Sequence, residues 1–197
     1  VEGRLSDFNS TPPKLMLNKN ALLQTHYYLF NMEDPRFQNI KVRQAFNYAI
    51  DRERIGRDIL KNQYDELGFF GVVPPLPSIF RGYEFQQVRN IGYDYNPEKA
   101  RKLLAEAGYD GKVIELWAMP VPRPYMPDGA KVAEVIQKNL EDVGMKSKIV
   151  TFEWATYLDK AKNGEADAFM LGWTGDNGDA DNFIYTLLDK DNIGSNN

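Results

Sequence analysis

The chain is 197 residues long, 43% apolar and 26% charged, with a net charge of −4, one histidine and no cysteine. That length and balance suit one globular domain, or two small ones, able to bury a real core. The acidic excess argues against nucleic acid as a partner, the lack of cysteine excludes disulfide and thiolate chemistry, and no run reaches the roughly 20 apolar residues of a membrane-spanning helix.

Val1-Glu2-Gly3-Arg4 has neither the basic nor the apolar region of a signal peptide, as expected of a mature protein or an excised piece. Residues 1–20 are mixed and broken by Thr11-Pro12-Pro13. Tyr27-Tyr28-Leu29-Phe30-Asn31 reads as an aromatic strand, and Pro35 then marks a turn. From Ile40 the apolar residues Val42, Ala45, Phe46, Ala49 and Ile50 recur at helical spacing, and a second helical piece follows over 52–60. Residues 68–95 carry Pro74, Pro75 and Pro77 without a sustained period, so a long ordered loop is expected. Asn96-Pro97-Glu98 starts a helix with a capping Asn, Pro at the first helical position and an acid in the first turn; Gly108 stops it.

The remainder alternates. Strands are expected over 113–119, 145–151 and 168–173. Helices are expected over 128–143, with Val132, Val135, Ile136, Leu140 and Val143 inward, and over 153–163, with Trp154, Tyr157, Leu158 and Ala161 inward. A short helix over 181–188 follows, and the polar end 189–197 reads as cut rather than finished. A βαβαβ run implies right-handed crossovers and a largely parallel α/β sheet flanked by helices, with ligands bound outside the carboxyl ends of its strands. The proline-broken loop 120–127 and the loop 173–182 both follow strands.

The second loop lies in Gly172-Trp173-Thr174-Gly175-Asp176-Asn177-Gly178-Asp179-Ala180-Asp181-Asn182-Phe183. Glycines allow close approach of a ligand to the backbone, tryptophan supplies an apolar wall with one donor, and a loop carboxylate can receive a cation. The stretch reads as the amine-recognising half of a ligand site. Taken alone, an Asp between Gly and Asn is commonly a turn former, and an Arg between prolines, as at 123, is commonly a solvated loop residue. Asp179 and Asp181 suit capping of the next helix. A calcium loop counted from Asn177 fails, because its sixth position is Asn182 and its twelfth Leu188. His26 reads as structural, and no nucleophile elbow, zinc-protease or phosphate-loop motif occurs. No catalysis, metal or cofactor is expected.

Four motifs come in one order: Lys41-Val42-Arg43-Gln44-Ala45-Phe46; Asn96-Pro97-Glu98-Lys99-Ala100 with Leu103-Leu104 and Ala107-Gly108; Met119-Pro120-Val121-Pro122-Arg123-Pro124-Tyr125; and Gly172-Trp173-Thr174-Gly175-Asp176-Asn177-Gly178-Asp179. Together they resemble the peptide and nickel solute-binding family that feeds ABC importers, and within it the periplasmic dipeptide-binding branch. The resemblance implies a type II periplasmic binding protein lobe with long proline-rich loops. Residues 1–197 would be the inserted, C-terminal lobe alone, and the N-terminal lobe and importer permease subunits would be its partners. It implies a periplasmic or extracellular location and leaves lipid anchoring open. Asp176 matches the family's aspartate for a peptide ammonium, Arg123 its arginine for the carboxylate, and Trp173, Tyr125 and Gly172 match cleft-lining positions. A relative that has moved to haem, nickel, a sugar or a longer peptide, or an interaction module outside transport, is the alternative.

Overall fold

The computed structural model describes residues 23–60 and 92–193. Strand β1 (Gln24–Phe30) leads into a one-turn helix, α1 (Pro35–Gln38), capped by the Asp34 carboxylate on the Arg36 N–H. Pro35 therefore opens a helix rather than marking only a turn, since the N–H it lacks is one that a helix start leaves unbonded. Helix α2 (Ile40–Ala49) buries Val42, Ala45, Phe46 and Ala49, as their spacing requires. Helix α3 (Arg52–Arg54) continues as π-helical turns over Ile55–Leu60. The expected loop over 68–95 lies almost wholly outside the described residues. Helix α4 (Pro97–Ala107) starts where Asn96 accepts the Lys99 N–H at 2.9 Å and stops at Gly108, whose φ of 62° suits glycine. It packs on α2, and the Asn96 N–H donates to the Tyr48 carbonyl at 2.8 Å.

Then follow β2 (Ile114–Trp117), α5 (Gly129–Asp142), β3 (Ser147–Val150), α6 (Trp154–Lys162), β4 (Ala168–Thr174), α7 (Asp181–Leu188) and a 3-10 turn, Lys190–Asn192. The sheet order is β1-β4-β2-β3. β2 runs parallel to both β3 and β4, while β1 lies antiparallel on β4, Gln24 opposite Thr174 and Phe30 opposite Ala168. The expected parallel character thus holds for three strands of four. From β2 the chain steps outward to β3, then returns past β2 to β4. Neighbours β2 and β4 therefore flank a switch point, and their carboxyl ends lie on one sheet edge.

Aromatic side chains fill the core. Phe30 stacks on Phe37 at 4.8 Å and meets Phe46 edge-on at 4.9 Å. Trp117 and Tyr157 are buried, with Phe152 edge-on to Trp117 at 4.7 Å. On α6, Tyr157 faces inward as expected, but Leu158 is 40% exposed. One step along a helix turns the side chain by about 100°, and Tyr157 already occupies the inner face.

At the opposite edge Arg36 forms a clasp. It donates to both Asp34 oxygens, pairs with Asp167 at 2.8 Å, and donates to the Val113 carbonyl at 2.9 Å. Asp167 also accepts the Glu115 N–H at 2.9 Å. The clasp fastens the start of β2 and the residue before β4 to α1. Arg36 beside it holds the Asp34 carboxyl below its ordinary range.

Candidate functional site

The loop after β2 doubles back on itself. Arg123 donates its N–H to the Met126 carbonyl at 3.0 Å and accepts the Met126 N–H at 2.9 Å, closing a four-residue turn with Pro124 and Tyr125 at its tip. Proline favours the first tip position because its φ is already set. Tyr125 rests on Gly172 of β4: a Cβ added there would lie 2.3 Å from Tyr125 Cδ2 and 2.6 Å from the Thr25 carbonyl oxygen. Only a residue without a side chain lets the ring sit so close. His26, opposite Gly172 in the β1–β4 ladder, hydrogen-bonds to the Tyr125 backbone, and burial pushes its imidazole below its ordinary pKa. The histidine supports the turn from beneath.

Arg123 lies with its guanidinium carbon 4.6 Å from the centroid of the Trp154 ring. Such a cation over an indole face is attracted by the ring's negative surface. Trp154 in turn stacks on Tyr157 at 5.6 Å, and Tyr157 donates its hydroxyl to the Met170 carbonyl at 2.7 Å. The arginine thus stands on an aromatic column rooted in β4. Its Nε is buried without a hydrogen-bond partner, and among the described residues it forms no ion pair. A guanidinium fixed by its face and without an ion pair among the described residues has the planar fork that suits an anion.

Asp176 follows β4 and is exposed. The Gly175 N–H donates to the Leu23 carbonyl at 2.7 Å, and the Asp176 N–H to Asn182 Oδ1 at 3.0 Å. Asn182 Oδ1 also accepts the Trp173 indole N–H at 3.1 Å, while Asn182 Nδ2 donates to Asp176 Oδ2 at 3.3 Å. Trp173 packs with Tyr27, Phe183 and Leu187 in a small cluster beside the main core. Capping of α7 differs from expectation. Ala180 holds the cap position with no side-chain bond, and Asp179 accepts the Asp181 N–H at 3.0 Å after donating its own N–H to Asn177 Oδ1 at 2.9 Å. Two successive Asx turns wind the chain into the helix, so neither acid caps it.

The five expected residues therefore fall into two groups on neighbouring loops of one sheet edge. Arg123 and Tyr125 share the first loop, Trp173 lies near the end of β4 with Asp176 on the loop just beyond, and Gly172 is where the first loop rests on that strand. Trp154 and Asn182 were not singled out from sequence as site residues. The Trp173 indole N–H and the Asp176 carboxylate can both be met from the following turn, and no sequence signal marked Asn182 for that role. A separate groove of about 770 Å³, lined by Asn31, Glu33, Asp34, Arg36, Asp110 and Lys112 among others, opens at the opposite edge. Among its charges, Lys112 pairs with Asp110 at 3.2 Å and Arg36 with Asp34 and Asp167.

These features define a mixed α/β unit with the candidate residues gathered near the carboxyl ends of β2 and β4. The chain belongs to the bacterial extracellular solute-binding proteins, family 5, whose middle portion matches residues 4–195. It is 44% identical over 169 residues to the dipeptide-binding protein of Escherichia coli K12, covering 84% of this chain and 30% of that protein. It is 42% identical over 188 residues to haem-binding protein A of Haemophilus influenzae, covering 95% of this chain and 33% of that one. A dipeptide binding protein from Pseudoalteromonas sp. SM9913, solved in complex with Met-Leu, superposes with a TM-score of 0.78 at 34% identity, covering 99% of this chain and 37% of that one. The chain thus spans about a third of the length of the curated relatives it matches.

Proposed function

We propose that this chain is the inserted, C-terminal lobe of a two-lobe extracytoplasmic receptor. The receptor binds di- or oligopeptides by their charged ends and delivers them to the permease of an ABC importer. The observation that carries the reading is the pair of separately supported charges at one sheet edge: Arg123 seated on Trp154, and Asp176 held by Asn182. Asp176 takes the peptide ammonium, and Arg123 takes the carboxylate through its planar fork. Trp173, Tyr125 and Gly172 line the space between. An extended residue spans roughly 3.3–3.6 Å, so two fixed charges measure peptide length while leaving side chains unread. Contact of the ligand with both lobes biases a hinge toward closure. The reading is of a periplasmic receptor and not an enzyme; lipid anchoring does not enter it.

The test is calorimetry on the full-length parent with a free dipeptide, its N-acetylated form, its C-amidated form and a tripeptide, repeated in Asp176→Asn and Arg123→Gln. The expected result is tight binding of peptides with both ends free and weak binding of the N-acetylated and C-amidated forms, with each substitution abolishing discrimination at its own terminus and the tripeptide reporting the length the receptor prefers. Indifference to acetylation and amidation would overturn it. The similarity to haem-binding protein A favours one second reading, a carboxylate-bearing ligand such as haem held through Arg123. In that case Arg123→Gln weakens haem binding and Asp176→Asn leaves it unchanged.

A further inference from the structure

We infer that Asn182 is the positioning residue of the ammonium anchor; this rests on reading Asp176 as that anchor. The Asn182 side chain uses three of its bonding groups on two residues of the loop before it. Its one carbonyl oxygen accepts both the Trp173 indole N–H and the Asp176 backbone N–H, at 3.1 and 3.0 Å. Its amide nitrogen donates to Asp176 Oδ2 at 3.3 Å. The backbone bond fixes where residue 176 lies, and the side-chain bond fixes how its carboxylate is turned. The indole bond ties both to the apolar wall.

The support behind Asn182 is equally specific. It is the second residue of α7, and its neighbour Phe183 is fully buried against Trp173 and Tyr27. The Phe183 ring also lies where a side chain on Gly175 would be, 2.7 Å from a Cβ built there. The loop between Gly175 and Asn182 is thereby shut at both ends: by the Gly175 N–H on the Leu23 carbonyl at 2.7 Å, and by the Asn182 amide. A carboxylate on a loop of this composition would otherwise sample many rotamers, and ordering it on binding would reduce affinity. One amide removes that cost before ligand arrives. Asparagine suits the task and aspartate does not: the position must accept twice and donate once, and an ionised carboxylate only accepts.

Asn182→Ala in the full-length receptor should weaken binding of a free dipeptide by about tenfold or more, the worth of the lost hydrogen bonds to a charged group. Affinity for the N-acetylated dipeptide, which offers no ammonium, should change less than about twofold on the same scale. The ratio between the two ligands is the decisive readout, because general damage to the lobe lowers both together. The Trp173 indole N–H resonance gives a second readout that needs no ligand. It should shift upfield in Asn182→Ala, where its acceptor is lost. An equal loss for both ligands, or an unchanged ratio beside a shifted indole resonance, would overturn the positioning role. If the unmodified receptor ignores N-acetylation, the anchor reading itself fails. The indole shift then still decides whether Asn182 holds the loop.

Discussion

At Gly172 the missing side chain has a mechanical reason, because the Tyr125 ring occupies the space a Cβ would need. Gly172→Ala must push Tyr125 or the β1 backbone aside, at a cost of about 1–3 kcal/mol of the kind seen for overpacking. Denaturant unfolding should register that loss, and ligand affinity should fall with it because Arg123 shares the displaced turn. His26 gives a separate, pH-dependent expectation. Its folded pKa lies below the ordinary 6.5, so the unfolded chain takes up the proton first. Its contribution to stability is complete above that value and is lost as pH falls below 6.5 toward the folded pKa. Unfolding free energies from pH 7.5 to 5 should therefore decline, and His26→Gln should flatten the decline. Legibility at this scale was uneven. Arg123, Tyr125 and Asp176 could be picked out only through the family resemblance of their motifs; taken alone, Arg123 and Asp176 read as ordinary loop residues. Trp154 and Asn182 could not, because each acts through a partner on another loop or across a turn, and a helical pattern assigns Trp154 simply to the inner face.

Among the elements, helices were the more readable, since their ends are written locally. Asn96, Pro97 and Gly108 delimit α4 by cap, fixed φ and left-handed stop, all within the segment itself. Asn96→Ala should cost about 1 kcal/mol, measurable by chemical denaturation. Strands carry no such marks. Aromatic content announced β1 but not its direction or its neighbour, so its antiparallel place on β4 emerged only from the structure. The Arg36 clasp was likewise invisible in sequence, because it joins residues from three distant segments. Its pH signature follows from Asp34, whose folded pKa is held below the ordinary 3.8 by Arg36. That stabilisation is present above the unfolded value and is lost as pH falls below it, through the folded pKa. An acid titration of stability from pH 5 to 2 should show this limb. Arg36→Met should remove it and lower stability at neutral pH by about 1.5–3 kcal/mol, the worth of a hydrogen bond to a charged group.

For the molecule as a whole, the chain spans about a third of its curated relatives, and the proposed function makes its site one half of a shared cleft. The isolated chain should bind a dipeptide at least about a hundredfold more weakly than the full-length receptor, as calorimetry on both would show, since at least half of the ligand's surface would stay in water. The sheet carries one more consequence. β1 is made well before β4, yet among the described residues β4 is its only strand neighbour, with Gln24 paired to Thr174 and Phe30 to Ala168. At about 5–20 residues per second, roughly 7–30 seconds of synthesis separate the two strands, and during that time β1 is an aromatic ribbon with open backbone groups on both sides. Synthesis order thus leaves β1 without its β4 partner until Thr174 has been made, and the nascent chain depends until then on whatever keeps that ribbon from other chains.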